Sequence, residues 1–223
     1  MTFSVAGICP ETGMVGCAIT SSSICVASRC AFVRSGTGVA LTQNVTNPEL
    51  GPLALDLLAE GQRPEQVMVA LAEADTDVQW RQLGVLDAQG QGQTFSGDKA
   101  LGLYATAQGK NCIAMGNLLE NTGVPLAMIE AFENSQGHLA ERLLQALEAG
   151  LAAGGELGPL HSAGLLMSAE PSWPVVDLRV DWHIAPITEL RMVWQNYQPQ
   201  MAAYITRASN PADAESFGVP GDE

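Results

Sequence analysis

Thr2-Phe3-Ser4-Val5-Ala6-Gly7-Ile8-Cys9, then Pro10-Glu11-Thr12-Gly13, then Met14-Val15-Gly16-Cys17-Ala18-Ile19-Thr20-Ser21-Ser22: this opening stretch decides the fold. The two outer segments are small, β-branched and apolar residues, and the four between them have turn chemistry. They read as the two strands of an antiparallel hairpin. A four-residue loop sets Cys9 opposite Met14, and stepping outward sets Thr2 opposite Ser21, the head of the polar run Ser21-Ser22-Ser23. Thr2, Ser4, Ala6 and Ile8 then share a face with Val15, Cys17, Ile19 and Ser21. Phe3, Val5, Gly7 and Cys9 share the other with Met14, Gly16, Ala18 and Thr20. Neither face carries a charge, so the sheet is expected to be covered on both sides.

Thr2 holds a further possibility. Aminopeptidases commonly remove an initiator methionine that precedes a small residue, and the resulting N-terminal threonine joins a nucleophilic hydroxyl to a free amine. That amine, with a reference pKa of about 7.7–8.0, can serve as the general base for its own hydroxyl. The alternative is that Thr2 is simply the first residue of a buried strand.

Composition narrows the function classes. The 223 residues, 47% of them hydrophobic, suit one large domain, and no linker-like stretch divides them. A formal net charge of −14 argues against binding nucleic acid or anionic membranes, which requires lysine and arginine to neutralise phosphates. No apolar run approaches the ~20 residues of a membrane span, and the start lacks a secretory pattern, so a cytoplasmic location is expected. Cys9, Cys17, Cys25, Cys30 and Cys112 show no metal-ligand spacing, and His138, His161 and His183 are not paired with them. They read as buried, reduced thiols, and no metal or cofactor is expected.

Beyond the hairpin, Cys30 to Arg34 and Gly38 to Asn44 read as strands, followed by a helical stripe Leu50, Leu53, Ala54, Leu57, Leu58 ending at Gly61. A second helix starts near Pro64. Trp80 to Asp87 and Gln91 to Phe95 form a second hairpin, and Leu103 to Met115 hold one or two strands. Helices centred on Val124 to Phe132 and Leu139 to Leu151 come next. Strands Ser162 to Met167 and Val175 to Val180 follow, then one helix from Ile187 to about Tyr204. Residues 1–205 make the domain, and 206–223 are expected to be a mobile acidic tail. Helices arriving in pairs between groups of strands favour an α+β fold, a four-layer αββα sandwich of two antiparallel sheets with outer helices.

A series of tracts carries a resemblance. In order they are Thr2-Phe3-Ser4-Val5, Pro10-Glu11-Thr12-Gly13, Thr42-Gln43, Thr46-Asn47-Pro48, Arg81-Gln82-Leu83-Gly84-Val85 and Gly116-Asn117-Leu118-Leu119. Ala146-Leu147-Glu148-Ala149-Gly150, Ala153-Gly154-Gly155, Ser162-Ala163 and Asp177-Leu178-Arg179-Val180-Asp181 complete it. From Thr2 to about Leu190 the chain resembles the bacterial and archaeal domain of unknown function 1028 family. The resemblance implies the fold of the Ntn (N-terminal nucleophile) hydrolases and, by analogy with that superfamily, amide-bond hydrolysis. Two positions depart from the family pattern. Ser21 is followed by Ser22 rather than by Arg or Lys, and Gly154-Gly155 by Glu156-Leu157-Gly158 rather than by an Asp with arginines nearby.

The expected function is therefore hydrolysis of a small amide or peptide by acyl transfer to Thr2; the alternative is a non-catalytic ligand-binding or assembly member of the fold, and a homo-oligomer is compatible with either. Thr2 is the candidate nucleophile, Ser21 a candidate to orient its amine, and Arg34, which matches the family, the candidate cation that keeps the amine unprotonated and ready as a base by lowering its pKa. Asn44, Asn47 and Asn117 are candidate oxyanion donors or substrate contacts, or else turn and hydrogen-bonding residues. Asp177, Arg179 and Asp181 alternate on one strand face, as an ion-pair set or a substrate clamp. His161-Ser162 with Asp181-x-His183 is a weaker Ser-His-Asp candidate, because no G-x-S-x-G elbow accompanies it.

Overall fold

The computed structural model describes residues 1–221. The opening hairpin forms in the expected register: β1 (Thr2–Cys9) pairs with β2 (Met14–Ser21), Thr2 facing Ser21 and Cys9 facing Met14. Every residue of β1 is buried, as an uncharged strand requires. The chain then makes a single helical turn, α1 (Ala27–Cys30), and a hairpin of β3 (Ala31–Arg34) and β4 (Gly38–Asn44). Helices α2 (Leu50–Ala59) and α3 (Pro64–Ala74) lead to the hairpin β5 (Arg81–Asp87) and β6 (Gly92–Ser96). Hairpin β7 (Ala105–Gly109) and β8 (Cys112–Asn117) precedes α4 (Val124–Asn134) and α5 (Leu139–Ala152). Strands β9 (Ser162–Ser168) and β10 (Pro174–Val180) and helices α6 (Pro186–Tyr197) and α7 (Met201–Ser209) complete it.

The strands build two antiparallel sheets, one in the order β10-β9-β2-β1-β8-β7 and one in the order β3-β4-β5-β6. Three apolar clusters hold this α+β fold together. Phe3, Val5 and Ala18 face α4, α5 and α6, where Phe132, Leu143, Leu147 and Trp194 are fully buried. The opposite face of the same strands, Ala6, Ile8, Cys17 and Ile19, meets Val39, Leu41 and Leu86 of the second sheet. The outer face of that second sheet packs Ala40, Leu83 and Val85 on Leu55, Val67 and Leu71 of α2 and α3. Gly7 lets the first contact close: a methyl group there would stand 2.5 Å from the Phe132 ring.

Two expectations need correction. The single last helix is interrupted after Tyr197 by a 3₁₀ turn, Gln198–Gln200, because Pro199 has no N–H to continue the helix. The tail expected from residue 206 starts inside α7, and Arg207 stacks on the rings of Tyr204 and Phe217 while its guanidinium donates to the Glu215 carbonyl at 3.0 Å. Asp222 and Glu223 lie outside the described residues.

Candidate functional site

Thr2 opens an interior strand, with Ser21 of β2 on one side and Asn117 of β8 on the other. Its side chain points between the sheets and only 5% of the residue is exposed. The Thr2 hydroxyl donates to the Met1 carbonyl at 2.6 Å and lies 3.2 Å from the Ser21 hydroxyl. Ser21 Oγ donates to that same carbonyl and accepts from the Ser23 N–H at 3.0 Å. Two hydroxyls thus converge on the carbonyl oxygen that immediately precedes Thr2. The ladder also aims the Thr2 nitrogen. Ile8 N–H bonds the Asn111 carbonyl at 3.0 Å, and every second residue back along β1 repeats that direction, so Thr2 N–H is directed at the Asn117 carbonyl.

A polar network runs inward from this row. Ser4 Oγ donates to Gln43 Oε1 (2.8 Å), and Gln82 Oε1 accepts from Gln43 Nε2 (2.7 Å) and from Asn117 Nδ2 (3.1 Å). Gln82 Nε2 in turn reaches Ser96 Oγ and the Gly116 carbonyl, both at 3.0 Å. Asn117 Oδ1 is buried without a partner. Among the described residues four non-glycines have left-handed backbone, and three of them lie at this end of the sheets: Cys25 (φ 54°) in the turn after β2, Asn44 (φ 74°) closing β4, and Leu118 (φ 51°) just past β8. Such strain collects where a fold holds an irregular site in place.

Glu156 completes the row. Its segment runs antiparallel past the end of β8: Glu156 bridges Leu119, and Leu157 N–H bonds the Leu118 carbonyl at 3.0 Å. Glu156 is 7% exposed, and neither carboxylate oxygen has a hydrogen-bond partner of sound geometry. Burial pushes its pKa up to about 7, partly offset by the nearby amino group of Met1 and by Ser22. Beside it opens an apolar cleft of about 290 Å³ whose lining includes Leu151, Gly158, Leu160, Ile184, Pro186 and Ile187. A larger cleft of about 680 Å³ lies at the other end of β1, beside Glu11, Lys110 and Arg142. Of the thiols near it, Cys9 donates to the Glu11 carboxylate at 3.1 Å, and Cys112 is pushed up to about 12, chiefly by burial.

The structure brings Thr2, Ser21 and Asn117 together and distributes the other candidates elsewhere. Arg34 sits beside Gly38 at the turn end of its hairpin, opposite to the end that carries Asn44, and pairs with Asp56 of α2 at 2.8 Å. It supplies no charge to Thr2. Asn44, the last residue of β4, and Asn47, in the loop after it, are engaged locally: Asn44 Nδ2 donates to the Trp80 carbonyl (2.6 Å), and Asn47 bonds Glu49 N–H and Asp75. Asp177 and Arg179 share Thr2's face but lie three strands away on the edge strand β10, where they pair with each other at 3.4 Å in solvent. Asp181 falls beyond the end of that strand. The Ser162 hydroxyl is engaged by backbone, donating to the Ser23 carbonyl (2.5 Å) and accepting from Val26 N–H (3.1 Å), while His161 stacks on Trp182. Cys17 is pushed up to about 12, chiefly by burial, and is a core thiol.

Sequence reading missed Ser4, Gln43, Gln82 and Glu156 as site residues. Gln43 and Gln82 left only a weak signal, because they sit in the polar ends Thr42-Gln43-Asn44 and Arg81-Gln82 of their strands. Glu156 left only its place directly after Gly154-Gly155. Among the described residues no group of three or more His, Cys, Asp or Glu side chains is arranged to hold a metal ion, and no helix is long and apolar enough to cross a membrane.

No curated protein matches the chain. The crystal structure of protein SPO2555 from Silicibacter pomeroyi, which carries the same family domain, is 31% identical and superposes with a TM-score of 0.83 over 88% of this chain and 89% of that one. The sequence profile described as a family of unknown function, DUF1028, matches residues 2–190, nearly the whole folded chain. The protein belongs to the DUF1028 family.

Proposed function

We propose that this protein is an N-terminal-nucleophile amidohydrolase, a four-layer αββα sandwich that cleaves a small amide or peptide by acyl transfer to Thr2. One observation carries the reading: the Thr2 and Ser21 hydroxyls converge on a carbonyl oxygen at the mouth of an interior strand. A substrate carbonyl drawn up beside that position, clear of the Thr2 nitrogen that Met1 leaves behind, meets the nucleophile and a hydrogen-bond donor together.

Removal of Met1 frees the Thr2 amine against the Asn117 carbonyl. The amine accepts the hydroxyl proton as Oγ1 attacks the substrate carbon. Ser21 Oγ donates to the oxygen on which negative charge develops. The protonated amine then delivers its proton to the departing nitrogen, leaving a Thr2 ester that water cleaves with the amine again as base. The Gln82 amide holds Asn117 in place.

A non-catalytic role is favoured by one feature. Among the described residues no arginine or lysine hydrogen-bonds any member of the Thr2 row, where Ser22 adds no charge. Intact-mass measurement and peptide mapping after exposure to a reactive β-lactone separate the two readings. The enzyme reading expects loss of Met1 and one adduct on Thr2, abolished by Thr2→Ala. Retained Met1 and an unlabelled Thr2 would leave the binding role.

A further inference from the structure

Glu156 is a carboxylate in the wrong place for a structural one. It is buried, neither oxygen has a hydrogen-bond partner of sound geometry, and among the described residues no lysine, arginine or histidine side chain pairs with it. Burying such a group without compensation is costly, so an uncompensated one marks a site for a positively charged ligand group. Its surroundings say where that group sits. Extending the β1 pairing one step past Thr2 sets Met1 between Ser22 and Leu118, and the segment carrying Glu156 runs beside Leu118 and Leu119, ahead of Met1.

Met1 thus maps the space in front of Thr2. Its carbonyl receives the Thr2 and Ser21 hydroxyls, and its amino group is the cation acting on Glu156. Its side chain lies on Gly158, where a methyl group would come within 2.8 Å of the Met1 terminal carbon. Gly158 also lines the apolar cleft of Leu151, Leu160, Ile184, Pro186 and Ile187. When Met1 leaves, the Thr2 nitrogen stays, and around it remain a pair of hydroxyls for a carbonyl, an ammonium position and an apolar side-chain position, which together suit an α-amino acid set slightly outward of Met1.

We infer that Glu156 anchors a substrate ammonium group, and that the site takes amides whose acyl part is an α-amino acid with a free amine and an apolar side chain. This rests on the Thr2 reading for the bond that is cleaved, but not for what is bound. Ser22 fits the assignment, since a cation at that position would neutralise Glu156 and close the ammonium site.

The test is calorimetric binding of L-methioninamide and N-acetyl-L-methioninamide to the full chain beginning at Thr2. The free amine should bind at least about tenfold more tightly than the acetylated form. Glu156→Gln should lose that preference and Glu156→Asp keep part of it, with thermal melting confirming that both variants fold. Equal binding of the two amides, no binding of either at millimolar concentration, or a Glu156→Gln variant that still discriminates would overturn the inference. Labelling of Thr2 by the β-lactone is read independently: discrimination without labelling removes the nucleophile and keeps the ammonium site, and labelling without discrimination does the reverse.

Discussion

Glu156 and Asp75 are both buried carboxylates near the Thr2 end, and their surroundings push them in opposite directions. Asp75 accepts from Arg81 Nε at 2.9 Å, and that hydrogen bond, helped by Asp77 N–H and Asn47, holds its pKa below the usual 3.8. Its stabilisation is therefore present above pH 3.8 and is lost as pH falls through the folded-state value. Asp75→Ala leaves the partly buried Arg81 guanidinium with the Val45 carbonyl alone and should cost roughly 2 kcal/mol in urea denaturation at pH 7. Glu156 has the reverse sign. Its folded value of about 7 exceeds the ordinary 4.5, so between those values the folded protein keeps a proton that the unfolded chain has released. Stability should fall as pH rises from 4.5 to 7, by on the order of 3 kcal/mol, and level off above. In Glu156→Gln that slope should vanish, which denaturation midpoints at pH 5 and pH 8 will show. At this scale the sequence was informative where contacts are local. The length of one turn gives Thr2 and Ser21 their pairing, whereas Glu156 meets Met1 only through β8, which no local pattern connects to it. Arg34 was readable but misjudged: pairing it with Gly38 already sets it at the end of the hairpin away from Asn44.

At the scale of elements, most strands and helices were legible because the apolar spacing changes cleanly from alternation to helical stripes. The exceptions have identifiable physical causes. Pro199 interrupts a pattern that otherwise continues from α6 into α7, and α1 is too short to show a period. Sheet order was not legible, since nothing in β8 announces that it lies beside β1, and with it the link from Asn117 through Gln82 to Gln43 stayed hidden. The contact between β1 and α4 makes its own prediction. Gly7→Ala drives a methyl group into the buried Phe132 ring and should lower stability by about 1–3 kcal/mol. The denaturation midpoint measures it, and Thr2 labelling should survive because Gly7 lies on the far side of the sheet from the Thr2 hydroxyl.

For the whole molecule, the family and the two-sheet α+β fold were within reach of the sequence, while the chemistry depends on how distant segments meet. The central position of β1 has a bearing on the life of the chain in the cell. β1 leaves the ribosome well before β8, yet Thr2 is enclosed only when β8 docks against it, more than a hundred residues later. At ribosomal rates of about 5–20 residues per second, the bond between Met1 and Thr2 stays accessible for on the order of ten seconds. A methionine aminopeptidase should therefore trim the nascent chain readily, yet leave purified, folded, Met1-bearing protein largely intact unless it is first unfolded. Activation would then be a race between an exopeptidase and the closing of a sheet, with the outcome set once for each molecule at birth.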